Sequence, residues 1–337
     1  MQDSSHGAPL SQPASIGGFA DDILGRFNAA LPAMPFADGE EDDFLPAARE
    51  LPENHLLNGY RLLKCVGSGG FGITYLAADE LLGRKVVIKE HFPQAICERR
   101  RGSLNVELQN PEAAEGLEWS YCNFLREVRL LSALDHHNIV KIFASFRAYN
   151  THYYVTEYIE GQSLGTVAQL HAHRGSRVTQ DELSGLIVRV LDAMHYLHSR
   201  RILHLDIKPD NILLTRRGRP VLIDFGAAHE NFGDTGAGVV ETPCYSPPEQ
   251  GMDGGADLGP WSDIYAFGAT LCYLLTGNAP SPGGQRLLYD NHEPLASRAE
   301  LTACYHLDLL AGIDRALSPS LDTRYRSVDE WMADLRG

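Results

Sequence analysis

The chain has 337 residues, 44% hydrophobic and 22% charged, which excludes a collagen, a coiled coil and a wholly disordered tail. It is long enough to bury a large core in one two-lobed domain or two small ones. With 29 Lys and Arg against 44 Asp and Glu, the formal net charge is −15; such a surface repels nucleic acid and anionic lipid, so any phosphate-bearing partner must be held by a local site.

Residues 1–58 stand apart. Ten acidic side chains against Arg26 and Arg49 give them a net charge of −8, leaving only −7 on the remainder. With Pro9, Pro13, Pro32, Pro35, Pro46 and Pro52 among many Ala, Gly and Ser, the composition predicts a solvated, disordered leader over 1–57. Inside it, Ile23, Leu24, Phe27 and Leu31 share one face if Asp21 to Leu31 is helical. A helix this short is marginal alone, so a transient turn is the plainer reading; a docking helix for the body or for a regulatory partner is the other. Asp3 and the lack of a basic n-region argue against a secretory signal. The longest apolar run, Phe267 to Leu275, falls short of the roughly 20 residues of a membrane span. Cys65, Cys97, Cys122, Cys244, Cys272 and Cys304 are scattered and form no Cys-x-x-Cys, which reads as reduced thiols and a cytoplasmic location.

From Tyr60 the pattern turns to short strands: Tyr60 to Val66, Ile73 to Ala78 and Lys85 to Glu90, parted by Gly-bearing turns. A helix is predicted over about Gly116 to Leu134, then strands at Ile139 to Phe146 and Tyr153 to Tyr158. Beyond Gly161 the periodicity is mostly helical: Asp181 to His198, Trp261 to Leu275, Leu307 to Leu317 and Val328 to Leu335. Short apolar runs, Ile212 to Leu214 and Val221 to Ile223, lie between the first two. The layout is a small sheet-rich lobe followed by a larger helical one.

Chemistry-bearing residues recur along this layout. Gly67-Ser68-Gly69-Gly70-Phe71-Gly72 lies between two strands, so it caps a hairpin rather than opening a dinucleotide-binding helix. Ile73-Thr74 follow where a Walker loop needs Lys-Ser/Thr. Without Cβ atoms, such a hairpin can lay backbone N–H groups against phosphates. Lys89 ends the third strand, and Glu127 in the following helix offers it an ion partner. Asp206, Asn211 and Asp224 sit in polar loops beside strand-like runs, hard oxygen ligands suited to Mg²⁺ carried on a nucleoside triphosphate.

In this order, the Gly loop, strand Lys, helix Glu, H-x-D-x-K-x-x-N (His204 to Asn211) and D-F-G (Asp224 to Gly226) form the protein-kinase signature. From residue 58 onward the chain resembles a Hanks-type Ser/Thr protein kinase of the bacterial branch. The resemblance implies an α+β, bilobal protein-kinase fold: a small antiparallel-sheet N-lobe with helix C over about 58–158, and a larger helical C-lobe over about 162–337. It implies transfer of the γ-phosphoryl of ATP, with Mg²⁺, to a Ser/Thr hydroxyl of a protein substrate. Val66, Gly67, Gly69, Gly70, Gly72, Thr74, Val87 and Leu213 would line the nucleotide site. Lys89, positioned by Glu127, would hold the α- and β-phosphates. Thr156 looks like the residue guarding the back pocket, and Glu157 and Ile159 like the hinge. Asp206 would orient the acceptor hydroxyl, Lys208 steady the γ-phosphoryl, and Asn211 and Asp224 bind Mg²⁺. His204, Phe225, Leu131 and Ile142 match the apolar stack joining the lobes. Thr242 to Glu249 resembles T-x-x-Y-x-x-P-E, Asp263 the brace of the catalytic loop, and Arg324 the partner of Glu249.

The departures carry expectations too. Leu205 stands where many members have an Arg that grips an activation-loop phosphate, and Asp224 to Glu249 holds no Lys or Arg. Activity is therefore expected without an obligatory phosphate at Thr235 or Thr242. Thr74 replaces the usual Val, and Glu241 the usual Gly. Lys89 and Glu127 lie 38 residues apart, longer than usual; the 91–115 insertion carries Arg99-Arg100-Arg101, read as a solvated loop, with docking of an acidic partner or the leader as the alternative. His171-x-His173 and His195-x-x-His198 read as packing rather than metal ligands. A scaffold without catalysis and a small-molecule kinase are the rival readings; Lys89, Glu127, Asp206, Asn211 and Asp224 argue against the first, the Thr242 to Glu249 platform against the second.

Overall fold

The computed structural model describes residues 49–70, 72–230, 241–251 and 257–336. The candidate helix over 21–31 and Thr235 lie outside the described residues. The small lobe is a six-stranded antiparallel sheet in the order β1-β2-β3-β4-β8-β7. Its strands are β1 (Leu56–Leu57), β2 (Tyr60–Ser68), β3 (Gly72–Asp79), β4 (Arg84–His91), β7 (Ile142–Ala148) and β8 (Thr151–Glu157). Between β4 and β7 come the hairpin β5 (Cys97–Arg99) and β6 (Val106–Leu108), then helix α1 (Ala114–Ser132).

Alternation decides the faces of this sheet. Ile73, Tyr75 and Ala77 of β3, Val86 and Ile88 of β4, and Tyr153 and Val155 of β8 all point into one core. The opposite face then carries Thr74, Val87, Lys89, Tyr154 and Thr156. Register aligns them, since Thr74 pairs with Lys89, Lys89 with Tyr154, and Val87 with Thr156. Helix α1 is amphipathic and buries Phe124, Glu127, Val128 and Leu131, one stripe at helical spacing.

The large lobe is built on α2 (Leu164–Arg174), α3 (Gln180–Ser199), α4 (Pro260–Thr276), α5 (Leu307–Ala316) and α6 (Val328–Asp334). Helix α4 is apolar nearly all round and is the buried axle of the lobe. Under the junction of the lobes lies a three-stranded sheet, β9 (Gly161–Ser163), β11 (Ile212–Thr215) and β12 (Pro220–Leu222), in the order β12-β11-β9. Beside it β10 (Ile202–Leu203) pairs with β13 (His229–Glu230).

Three expectations need correction. Leu51 and Leu57, which composition assigned to the leader, are buried with the core of the small lobe, and β1 pairs with β2. The fold therefore begins before residue 58. Arg99 is not solvated: its guanidinium is buried against Glu90 and donates to the carbonyls of Arg49 and Leu104, so the insertion is a folded hairpin fixed from below. Arg100 and Arg101 are exposed as expected, Arg100 pairing with Glu107 at 2.9 Å. Finally, α2 is a helix the periodicity did not single out, although Ser163 caps its start and Gly175, at φ 60°, its end.

Candidate active site

The polar face of the small sheet meets the loops of the large lobe at one cleft. Lys89 Nζ donates to both oxygens of Glu127, at 3.0 and 3.1 Å, and to Asp224 Oδ1 at 2.9 Å. Strand β4, helix α1 and the loop after β12 are thereby tied at a single ammonium. Burial opposes the charge on Lys89, but the Asp224 and Glu127 carboxylates outweigh it and hold its pKa well above the usual value. Lys89 in turn holds the Asp224 carboxyl down to about 2. Burial pushes the Glu127 carboxyl up, against the pull of Lys89. Tyr154 Oη donates to Glu127 Oε1 at 2.8 Å, two residues before Thr156 on the same face of β8. Sequence reasoning missed this residue; the period of two would have found it.

Asp206 is the second focus. Lys208 Nζ lies 2.8 Å from its Oδ2, Asn211 Nδ2 donates to the same oxygen at 2.7 Å, and Thr242 Oγ1 donates to Oδ1 at 2.6 Å. The loop beneath is braced by buried Asp263 of α4, which accepts the backbone N–H groups of His204 and Leu205 at 2.9 and 2.8 Å. His198 Nε2 stands 2.8 Å from the same carboxylate, so this histidine, read from the sequence as packing, also belongs to the brace. Its pairing partner lies 65 residues away, which no local pattern reveals. Leu205 (φ 58°) and Asp224 (φ 61°) both hold left-handed backbone, strain that the surrounding bonds sustain. The ring of His204 packs on Phe225, centroids 4.6 Å apart, and Leu131 and Ile142 join the same apolar cluster. Arg324 Nη1 donates to Glu249 Oε1 at 2.7 Å with both side chains buried.

The remaining candidates frame the cleft. Gly67, Gly69 and Gly70 face open space: a Cβ built on any of them meets no protein atom within 4 Å. At Gly72 a Cβ would strike the Glu90 carbonyl at 2.5 Å, so this glycine serves the sheet itself. Val66 is half exposed, Thr156 and Ile159 are buried, and Glu157 Oε1 accepts the Lys141 N–H at 2.9 Å. Leu213 is partly buried against the large-lobe core. The Ile223 N–H donates to the Asn211 carbonyl at 3.0 Å, which puts Asn211 and Asp224 at the same end of the β11–β12 hairpin. With its amide nitrogen committed to Asp206, Asn211 has its side-chain oxygen left as a ligand. That oxygen and the ionised Asp224 carboxylate are the hard donors a magnesium ion requires.

Other histidines have plainer partners. His171 Nδ1 lies 2.9 Å from Ser176 Oγ. His136 and His137 come close enough to Asp192 to suggest a cation. However, His136 Nδ1 accepts the Asn138 N–H at 3.2 Å, which leaves the ring proton on Nε2, directed at Asp192 Oδ2. That contact is an ordinary hydrogen bond.

Comparisons with known proteins agree with this geometry. Residues 60–308 match the family model described as protein kinase domain. A serine/threonine-protein kinase PknA from Nostoc is 32% identical over 297 residues, 84% of this chain and 48% of that protein. Serine/threonine-protein kinase C from Synechocystis is 35% identical over 242 residues, 68% of this chain and 41% of that protein. The chain thus spans about half the length, or less, of the curated relatives it matches. A solved structure, PpkA-294 apo form, superposes with a TM-score of 0.74 at 28% identity, over 86% of this chain and all of that one.

Proposed function

The chain belongs to the protein kinase family, in its Hanks-type serine/threonine branch, and from that premise we propose that it phosphorylates Ser or Thr hydroxyls of a protein substrate at the expense of ATP. The observation that carries this reading is the single cleft in which Lys89 contacts both Glu127 and Asp224 while Asp206, Lys208, Asn211 and Thr242 are bonded together beside it.

Phosphoryl transfer asks for alignment and charge neutralisation more than for covalent chemistry. Lys89 supplies a fixed positive charge for the α- and β-phosphates, and Glu127 with Tyr154 fixes its direction. Gly67, Gly69 and Gly70 let phosphate approach the backbone with no side chain in the way, while the Gly69 N–H closes the turn on the Gly72 carbonyl. Val66, Thr74, Val87, Leu213 and Ile159 offer an apolar slot for adenine, closed behind by Thr156. Asn211 and Asp224 are the residues that would hold Mg²⁺, which neutralises phosphate charge when bound. Asp206 accepts the hydrogen bond of the acceptor hydroxyl and takes up its proton, and Lys208 neutralises charge next to it. The Thr242 hydroxyl, bonded to Asp206, stands where a Ser or Thr acceptor is to be received.

Turnover of ATP with a generic protein acceptor, beside Asp206→Ala, tests the reading. The wild type is expected to label Ser and Thr by mass spectrometry, and Asp206→Ala to lose about 10²–10⁴ in rate while still binding nucleotide. Equal rates in the two, or labelling confined to a sugar or antibiotic acceptor, would overturn it.

A further inference from the structure

A Gly-rich hairpin does not hold itself in place. Gly67, Gly69 and Gly70 make no contact through side chains, and the Gly69 N–H to Gly72 carbonyl bond (2.9 Å) only closes the turn. Such a segment loses much conformational freedom when it is ordered, so groups outside it decide where it rests. One residue outside it, Gln94, has every polar group engaged. After β4, Phe92 and Pro93 are buried and turn the chain back beneath the hairpin. Gln94 then donates its N–H to the Gly70 carbonyl at 3.2 Å and its Nε2 to Ser68 Oγ at 2.5 Å. Its Oε1 accepts from Arg49 Nη1 at 3.0 Å, and its carbonyl accepts from Gln109 Nε2 at 3.3 Å.

The other end of this junction is equally fixed. The Arg49 carbonyl accepts from Arg99, whose guanidinium is buried on Glu90, the neighbour of Lys89. Two residues on, the Leu51 N–H donates to Tyr75 Oη at 3.0 Å, and Tyr75 Oη donates to Glu90 Oε2 at 2.9 Å. The place where residues 1–48 join the fold is therefore wired both to the hairpin and to the strand that carries Lys89.

We propose that Gln94 is a positioning residue for nucleotide: it holds the Gly-rich hairpin in its binding position and couples that position to Arg49, at the root of the acidic N-terminal segment. The inference rests on the nucleotide-binding reading of the cleft. With the tie intact, part of the ordering of the hairpin precedes binding, which is pre-organisation. With it cut, the nucleotide must order the hairpin itself. Gln94→Ala keeps the backbone bond to Gly70 but loses the side-chain bonds to Ser68 and Arg49, and two hydrogen bonds of ordinary net worth correspond to a loss of affinity of roughly five- to thirty-fold. Removing the Arg49 guanidinium frees the Gln94 amide to turn and is expected to weaken binding about two- to five-fold.

The test is a titration of the full chain with a fluorescent, non-hydrolysable ATP analogue and Mg²⁺, on wild type, Gln94→Ala, Ser68→Ala, the double variant and Arg49→Ala, each with its thermal midpoint. Gln94→Ala is expected to bind five- to thirty-fold more weakly and Ser68→Ala less so. The double variant should be no worse than Gln94→Ala, because the two changes cut the same tie. Thermal midpoints should stay together, since Ser68 is exposed and Gln94 only half buried. Gln94→Ala binding as tightly as wild type overturns the proposal, as do losses that simply multiply in the double variant. If Gln94→Ala fails to fold, Ser68→Ala and Arg49→Ala binding as tightly as wild type overturn it equally. A wild-type chain that takes up no nucleotide overturns the kinase reading and this proposal with it.

Discussion

Tyr154 shows how much of the site rests on residues that never reach a substrate. Its hydroxyl donates to buried Glu127, which has Lys89 as its other partner. Replacing it with Phe leaves a buried carboxylate oxygen short of one donor, at a cost of about 1–3 kcal/mol. Tyr154→Phe is therefore expected to lower kcat/KM roughly three- to tenfold while Ser/Thr preference stays put; steady-state kinetics at several ATP concentrations will check it. Leu205 acts through what it cannot do. It is buried with Leu203 and Leu258 against Ala227, where a charged guanidinium would need an anion. The cleft residues were legible in the sequence because their chemistry demands particular residue types at fixed spacing. His198 was not, since its partner is set by the folded arrangement; Tyr154 was legible only as a residue on the cleft face of β8, its bond to Glu127 being set by the fold.

Helix α1 carries Glu127, so its seating on the sheet governs the cleft. Two buried histidines make that seat. His91 Nε2 lies 2.9 Å from Ser120 Oγ of α1, and His152 Nδ1 lies 3.2 Å from Tyr121 Oη of α1, with Phe124 packed against both rings. Burial, with each other's proximity second, pushes His91 down to about 4; burial and then Arg147 push His152 to about 4. Both rings are thus neutral in the folded chain at neutral pH. Below the ordinary value of 6.5 the unfolded chain takes up protons that the folded one refuses until about pH 4. Stability is therefore present above pH 6.5 and lost as pH falls through that window, by on the order of 2 kcal/mol per histidine at pH 5. Denaturant midpoints at pH 7.5 and 5 should show this loss, and His152→Gln, which keeps a hydrogen-bonding group but cannot titrate, should shrink it. An unchanged slope in that variant would contradict the assignment. At this scale the hairpin β5–β6 was illegible because Arg99 sits in a basic triplet that looks solvated; only folding brings it onto Glu90 and near Tyr153. Helix α2 was missed for the opposite reason: its caps were in plain view, but its apolar stripe is short.

At the scale of the molecule, the described residues join the two lobes through polar ties such as Lys89 to Asp224 and through the apolar stack around Phe225, and the small lobe reaches back to Leu51. The layout of sheet lobe before helical lobe could be read from the change of periodicity, whereas the start of the fold could not, because two buried leucines leave little mark on an acidic, proline-rich composition. Removal of residues 1–48 is expected to leave the thermal midpoint nearly unchanged. Removal of 1–57 also strips Leu51 and Leu57 from the core and should cost several kcal/mol, about 5 °C or more by calorimetry. Equal midpoints for the two truncations would contradict this boundary. The same economy applies to control of the site. The contacts of Lys89 with Glu127 and Asp224, the bond of Thr242 to Asp206 and the apolar side chain at Leu205 support the expectation of activity without an obligatory activation-loop phosphate. The most direct measurement is the initial rate of phosphoryl transfer by the full chain, after phosphatase treatment and removal of the phosphatase, with its phosphate-free state confirmed by intact mass. The expected result is transfer from the first time point with no lag; a chain that stays inert until Thr235 or Thr242 carries a phosphate would contradict it.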